Sequence, residues 1–320
     1  MRSRSLIALL AIAVVATVTV GGCATKQNSA GGGGETKQGP TVRVASLLDS
    51  EGVVLGSMVI QMLEANGIPT EDKTKFGTPD VVRKAILAGD VDATIDYTGS
   101  GQYYVGPEGD PLWNDPEKGY QTIKEKDLAN GLVWLTPAPA NNSEYFGVKK
   151  EFAEANGLKS MEDFARYVNG SGAVKLIGDQ SWMDNPAGLK AYEAAYGFTL
   201  RDDQKIGLSN GVTAQFIQAL VNGTDGVNVA EVYATDGGLA EQGIVVLADT
   251  KNVPPVYRPT PVFRKEIIEA YPEIEGILKP VFESLTTETL QELNRQVAFG
   301  GKSGKDVARE YLVSKGFLKQ

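Results

Sequence analysis

The stretch Thr41-Val-Arg-Val-Ala-Ser46, continued by Val53-Val-Leu-Gly-Ser-Met-Val-Ile-Gln-Met-Leu-Glu-Ala65 and stopped by Asn66-Gly67, decides the fold class. Residues 42–46 form a short apolar run of strand length. Residues 53–65 then set Val54, Met58 and Met62, and beside them Leu55, Val59 and Leu63, at the spacing of one helix face. Thr78-Pro79 opens a second helix, with a threonine cap and a proline in the first turn, where its missing N–H costs nothing, and Gly89 closes it. Residues 91–95 return to strand spacing.

Outward from there the alternation continues. Residues 132–135, 145–149, 174–178, 227–232 and 244–247 read as strands, and 116–130, 160–167, 187–196 and 213–222 as helices, the second of these capped by Ser160 with Asp163 three places on. The tail 264–319 is nearly all helical, broken at Pro272, Pro280 and Gly300-Gly301. Strands alternating with helices predict an α/β fold of parallel sheets covered on both faces. Two proline-rich crossings, Pro137-Ala-Pro139 and Val253-Pro254-Pro255, divide the chain into two lobes, 41–140 with 251–320 and 141–250. A cleft between two such lobes is where ligands bind, because strand ends and helix N-termini converge there.

Ahead of the folded part, Met1-Arg-Ser-Arg precedes a nearly wholly apolar run from Leu6 to Val20 and then Gly21-Gly22-Cys23. A basic start, an apolar stretch too short to span a bilayer and small residues before the cleavage point make 1–22 an export signal. Val20-Gly21-Gly22-Cys23 resembles the bacterial lipobox, which implies that Cys23 receives a lipid and becomes the mature N-terminus, anchored to the cell membrane on its periplasmic or outer face. Residues 23–40, with the run Gly31 to Gly34, have too little apolar surface to order themselves and read as a flexible tether.

Composition narrows the function. The chain has no histidine, and Cys23 is its only cysteine, so Ser-His and Cys-His nucleophile pairs and the commonest zinc ligand are missing. A net charge of -9 argues against nucleic acid, whose phosphates need clustered Lys and Arg. Asp90, Asp92 and Asp96 invite a metal reading, but on a strand only the last reaches the end where a site is built, so no metal site and no cofactor is expected. Tyr97, Trp134, Tyr145, Trp182, Tyr233 and Tyr257 each lie at or beside a strand end. Singly they read as core; together they suggest a cage for an organic cation, worth roughly 0.5 to 2 kcal/mol per ring.

Six strings in order carry a resemblance: Ala45-Ser-Leu-Leu-Asp-Ser-Glu51-Gly52, Gly77-Thr-Pro-Asp-Val-Val-Arg83-Lys84-Ala85, Asp96-Tyr-Thr-Gly-Ser100, Trp134-Leu-Thr-Pro-Ala-Pro-Ala-Asn-Asn142, Tyr233-Ala-Thr-Asp-Gly237 and Pro261-Val-Phe-Arg264. Over Thr41 to Leu318 the chain resembles the substrate-binding proteins of osmoprotectant ABC importers, receptors for glycine betaine, choline and related quaternary amines. The resemblance implies a type II periplasmic-binding fold, two α/β lobes closing on a ligand, with a membrane permease and an ATPase as partners.

Carried over position by position, the resemblance implies cage walls at Tyr97, Tyr233 and Tyr257. The fourth wall corresponds to Glu144, with Tyr145 one place later; neighbouring strand residues point opposite ways, so one or the other faces the cleft. The family's lysine in the first loop corresponds to Leu47, and its arginine before the long second-lobe helix to Asn185, beside Trp182. Those cations hold a betaine carboxylate, so their loss, with an acid at Glu144, favours a cation without a free carboxylate, such as choline, or one with an additional amine. Ser100, Thr98 and Asn185 remain to bond a hydroxyl. The alternative is that Arg83 or Arg258 restores the missing charge. Two readings from other classes stand beside the receptor: an exported hydrolase using Asp96 and Glu144 as acid and base, and a signalling or structural lipoprotein that has lost its ligand.

Overall fold

The computed structural model describes residues 38–209 and 213–319. The export signal, Cys23 and most of the tether lie outside the described residues. Ten strands occur within them: β1 (Val42–Leu47), β2 (Thr70–Gly77), β3 (Ala93–Tyr97), β4 (Leu132–Trp134), β5 (Glu144–Lys149), β6 (Leu176–Asp179), β7 (Lys205–Leu208), β8 (Val229–Tyr233), β9 (Ile244–Val246) and β10 (Pro259–Arg264). They form two five-stranded sheets, ordered β2-β1-β3-β10-β4 and β7-β6-β8-β5-β9.

Each sheet departs from the all-parallel expectation by one strand. β10 runs antiparallel to β3 and β4, and β5 antiparallel to β8 and β9, while β1 with β2 and β3, and β6 with β7 and β8, are parallel. The exceptional strands are the first that the chain forms after each crossing between lobes. A strand arriving from the other lobe enters its sheet from the cleft side, opposite in sense to strands fed by a helical crossover. The crossings themselves lie side by side: Ala138 N–H donates to Pro259 O at 2.8 Å, Asn142 N–H to Tyr257 O at 2.8 Å, and the Ser143 hydroxyl to Pro255 O at 2.6 Å.

Both faces of each sheet are covered. In the first lobe the helix Ser50–Ala65 is buried on nearly every side, because the sheet lies on one flank and the helices Ile274–Glu283, Thr287–Ala298 and Gly304–Ser314 lie on the other. Val54, Leu55, Met58 and Leu63 pack there with Leu278, Phe282 and Leu312. The opposite face of that sheet carries Trp113, Ile123 and Trp134. In the second lobe Phe146 gathers Phe164, Trp182, Tyr192 and Phe198 with ring centroids 5.0 to 6.3 Å apart, and the other face carries Ile177, Phe216, Leu220 and Val232.

The lobes also meet through the C-terminal helices. Asn294, on Thr287–Ala298, donates to the Thr235 carbonyl of the second lobe at 2.8 Å and to Glu51 Oε2 of the first at 2.7 Å. Gln291 donates to Ala234 O at 2.6 Å. The turn after β8 is thus seated on a helix of the other lobe.

Candidate ligand-binding site

β5 and β8 pair in a regular antiparallel ladder, Glu144 opposite Tyr233 and Phe146 opposite Glu231, which puts these four side chains on one face. Towards its end this face borders a cavity of about 220 Å³ lined by Glu144, Glu231, Tyr233 and Trp182. Asp179 enters from the end of β6, Ser181 from the short helix Gln180–Asp184 and Asn185 from just after it, Phe216 comes from the helix Thr213–Asn222, and Tyr103 reaches in from the first lobe. The cavity therefore sits at the carboxyl ends of β6 and β8, the position that the topology favours for a ligand.

Each polar group is held locally. Asp179 caps its helix by accepting from Ser181 N–H at 2.7 Å. Glu231, 1% exposed, accepts the Asp179 N–H at 2.6 Å, and Gly178 leaves it room, since a Cβ there would lie 2.7 Å from Glu231 Oε2. The Tyr233 hydroxyl reaches Glu144 Oε1 at 3.5 Å, the limit of a hydrogen bond. The Asn185 amide donates to the Tyr103 hydroxyl at 2.9 Å, which joins the two lobes over the cavity.

Burial and like charge act together here. The Glu144 carboxyl is pushed well above the usual carboxylate range first by burial and then by Asp179, with the Tyr233 hydroxyl opposing. Glu231 is pushed up by burial and then by Glu144, with the Asp179 N–H opposing. Two such groups ionise together only when positive charge lies close by. Among the described residues no Lys or Arg lines the cavity. Arg83 pairs with buried Asp127 at 2.6 Å and lies over the Tyr104 ring, and Arg258 donates to Ala138 O at 2.8 Å. Neither arginine borders the cavity.

Of the positions singled out in the sequence, Glu144, Trp182, Asn185 and Tyr233 come together in this lining. Tyr145 points to the opposite face and packs with the Ile177 and Val232 cluster. Tyr257 stands just outside, its ring against Gly99, its hydroxyl accepting from Gln102 at 3.0 Å and bonded to Tyr103. Tyr97 is turned into the protein, where its hydroxyl donates to Glu51 Oε1 at 2.6 Å. Ser100 is bonded to Asp96 and Tyr104, and Leu47 packs beside the cluster of Val82 and Trp113. Asp96 is tied to Tyr97 N–H and Tyr104, outside the cavity that Glu144 lines, so the two do not form a facing acid–base pair.

Tyr103, Asp179, Ser181, Phe216 and Glu231 complete the lining without standing out in the sequence. For Glu231 a signal existed: an acid in the otherwise apolar run 229–232. Asp179 had a weaker one, an acid directly after a strand.

The profile of the substrate binding domain of ABC-type glycine betaine transport systems matches residues 40–314. The chain belongs to this family. Its members are solute-binding proteins of ABC importers, and the two-lobed fold is theirs. The glycine betaine-binding protein YehZ of Escherichia coli strain K12 is 42% identical over 279 residues, 87% of this chain and 92% of that protein. A glycine-betaine-binding protein of Pseudomonas aeruginosa is 30% identical over 283 residues, 86% and 88% of the two chains. The solved apo structure of YehZ superimposes with a TM-score of 0.74 at 41% identity, covering 88% of this chain and all of that one.

Proposed function

We propose that this solute-binding protein captures a small cationic amine of the choline and glycine betaine class, without catalysis, and that it favours ligands with no free carboxylate. The observation that carries this is the lining: aromatic rings from Tyr103, Trp182, Phe216 and Tyr233, three carboxylates from Glu144, Asp179 and Glu231, and no lining Lys or Arg among the described residues. Aromatic faces and acids that a bound cation helps to ionise both stabilise a cation in a site shielded from water, whereas a ligand carboxylate would meet the same acids with no lining cation to pair it. Tyr103 on one lobe and Asn185 on the other make closure sensitive to what lies between them. Ligand completes contacts from both sides and shifts the population towards the closed form that docks on a permease. A lipid on Cys23 and the glycine-rich tether would hold the receptor near that permease, outside the cytoplasmic membrane.

Thermal melting of the mature protein against choline, glycine betaine, carnitine and a set of diamines tests the reading. Ligand at a hundred times its dissociation constant adds about 2.7 kcal/mol, an easily read rise in melting temperature. No rise with any of these amines would remove the transport role, and release of a modified product would restore the hydrolase.

A further inference from the structure

The lining holds more acid than one cation requires, and the placing of two of the acids bears on which cation fits. Glu144 and Glu231 lie on the same face of neighbouring strands, diagonal to one another across the ladder. Glu231 has one oxygen satisfied by the Asp179 N–H, while Glu144 is reached by the Tyr233 hydroxyl only at 3.5 Å. Asp179, Tyr103 and Tyr233 also face this pair. Carboxylates withdrawn from water need donors for their lone pairs as well as opposite charge. A quaternary ammonium brings charge alone: its nitrogen is sheathed in methyl groups and has no hydrogen to donate. A nitrogen that keeps an N–H brings the same single charge and adds a short charge-assisted hydrogen bond to one of the two carboxylates.

We propose that Glu144 and Glu231 select, among cationic amines, those whose nitrogen carries at least one N–H, with the alkyl remainder resting on Trp182, Phe216 and Tyr233. This rests on the cationic-amine reading above and narrows it. Protonated tertiary, secondary and primary amines, including the free end of a diamine, belong to the selected class; fully methylated heads are the weaker ligands of the same site.

Calorimetric titration near neutral pH with choline and N,N-dimethylethanolamine, which differ by one methyl group replaced by hydrogen, tests it. Dimethylethanolamine should bind at least about tenfold more tightly, the size of one charge-assisted hydrogen bond. Glu231→Gln keeps the shape and still accepts from the Asp179 N–H; it should reduce that ratio to below about threefold whatever the absolute affinities, with Glu144→Gln as the second variant if the first does not fold. Choline binding as tightly as dimethylethanolamine, or a ratio unmoved in the folded variants, overturns the N–H selection and leaves the cationic receptor standing. Binding of neither amine overturns both.

Discussion

Replacing Glu144 with Gln should weaken choline binding while changing glycine betaine little. The carboxylate lines the cavity beside Tyr233, and an amide in its place would keep its size and its ability to accept from the tyrosine hydroxyl. A cation about 4 Å from such a group in an effective dielectric near 20 gains about 4 kcal/mol. Part of that is lost in removing the proton that burial and Asp179 favour on the empty carboxyl and in desolvating both charges, which leaves roughly 1.5 to 3 kcal/mol of the Coulombic gain. Choline affinity should therefore fall roughly 10- to 100-fold. Betaine carries its own carboxylate into the same acidic cavity, so attraction and repulsion largely cancel, and its affinity should move by less than about threefold. Titration calorimetry of both ligands on both proteins, at a pH slightly above neutral, reads the four constants. Unchanged choline affinity, or equal losses for the two ligands, would refute the role given to Glu144.

Other consequences concern the far side of the cavity and the junction of the lobes. Asn185→Arg should shift the choline-to-betaine affinity ratio towards betaine by about tenfold, by supplying a partner for a ligand carboxylate; an unmoved ratio in the same titration would mean that Asn185 is not at that end of the ligand. Glu51 is buried among the neutral donors Tyr97, Asn142 and Asn294, and burial raises its carboxyl from 4.5 to about 7. The folded state thus holds its proton more tightly than the unfolded state, so this contribution is complete below pH 4.5 and is lost as pH rises through about 7. It amounts to about 3 kcal/mol at most. The melting temperature of Glu51→Gln should accordingly fall less steeply over that range than that of the unaltered protein, and parallel curves would contradict the assignment. Gly237→Ala would drive a Cβ into the backbone of Arg295 on the opposing lobe; a loss of about 1 to 3 kcal/mol is expected from chemical denaturation, and an unchanged midpoint would show that the lobes part there without cost.

The fold was legible wherever periodicity was strong. The apolar spacing of 53–65, the proline-and-glycine bounds of 78–89 and the capping box at Ser160 and Asp163 all reappear as helices Ser50–Ala65, Pro79–Ala88 and Met161–Asn169. β2 was hidden because Thr70–Gly77 is a mostly exposed edge strand of polar residues without alternation. β10 was hidden by its prolines, which ordinarily argue against a central strand. Pro259 and Pro261 are tolerated because their carbonyls accept from Ala138 and Leu135, so the side lacking an N–H faces the extended crossing and not β3. In the site, neighbouring positions read alike until the ladder fixed their faces: Glu144 turns to the cavity and Tyr145 away. Tyr97 stands at a strand end, as the sequence suggests, and its hydroxyl is bonded to the buried Glu51. Glu231 was missed because its significance depends on a neighbour strand that sequence order does not place beside it.

Choline and glycine betaine compared in one calorimetric titration of the unaltered protein give the most direct test of the acidic cage. The acidic, aromatic lining, with no bordering Lys or Arg among the described residues, predicts that choline binds at least about tenfold more tightly than betaine. Betaine binding as tightly as choline, or more tightly, would contradict it.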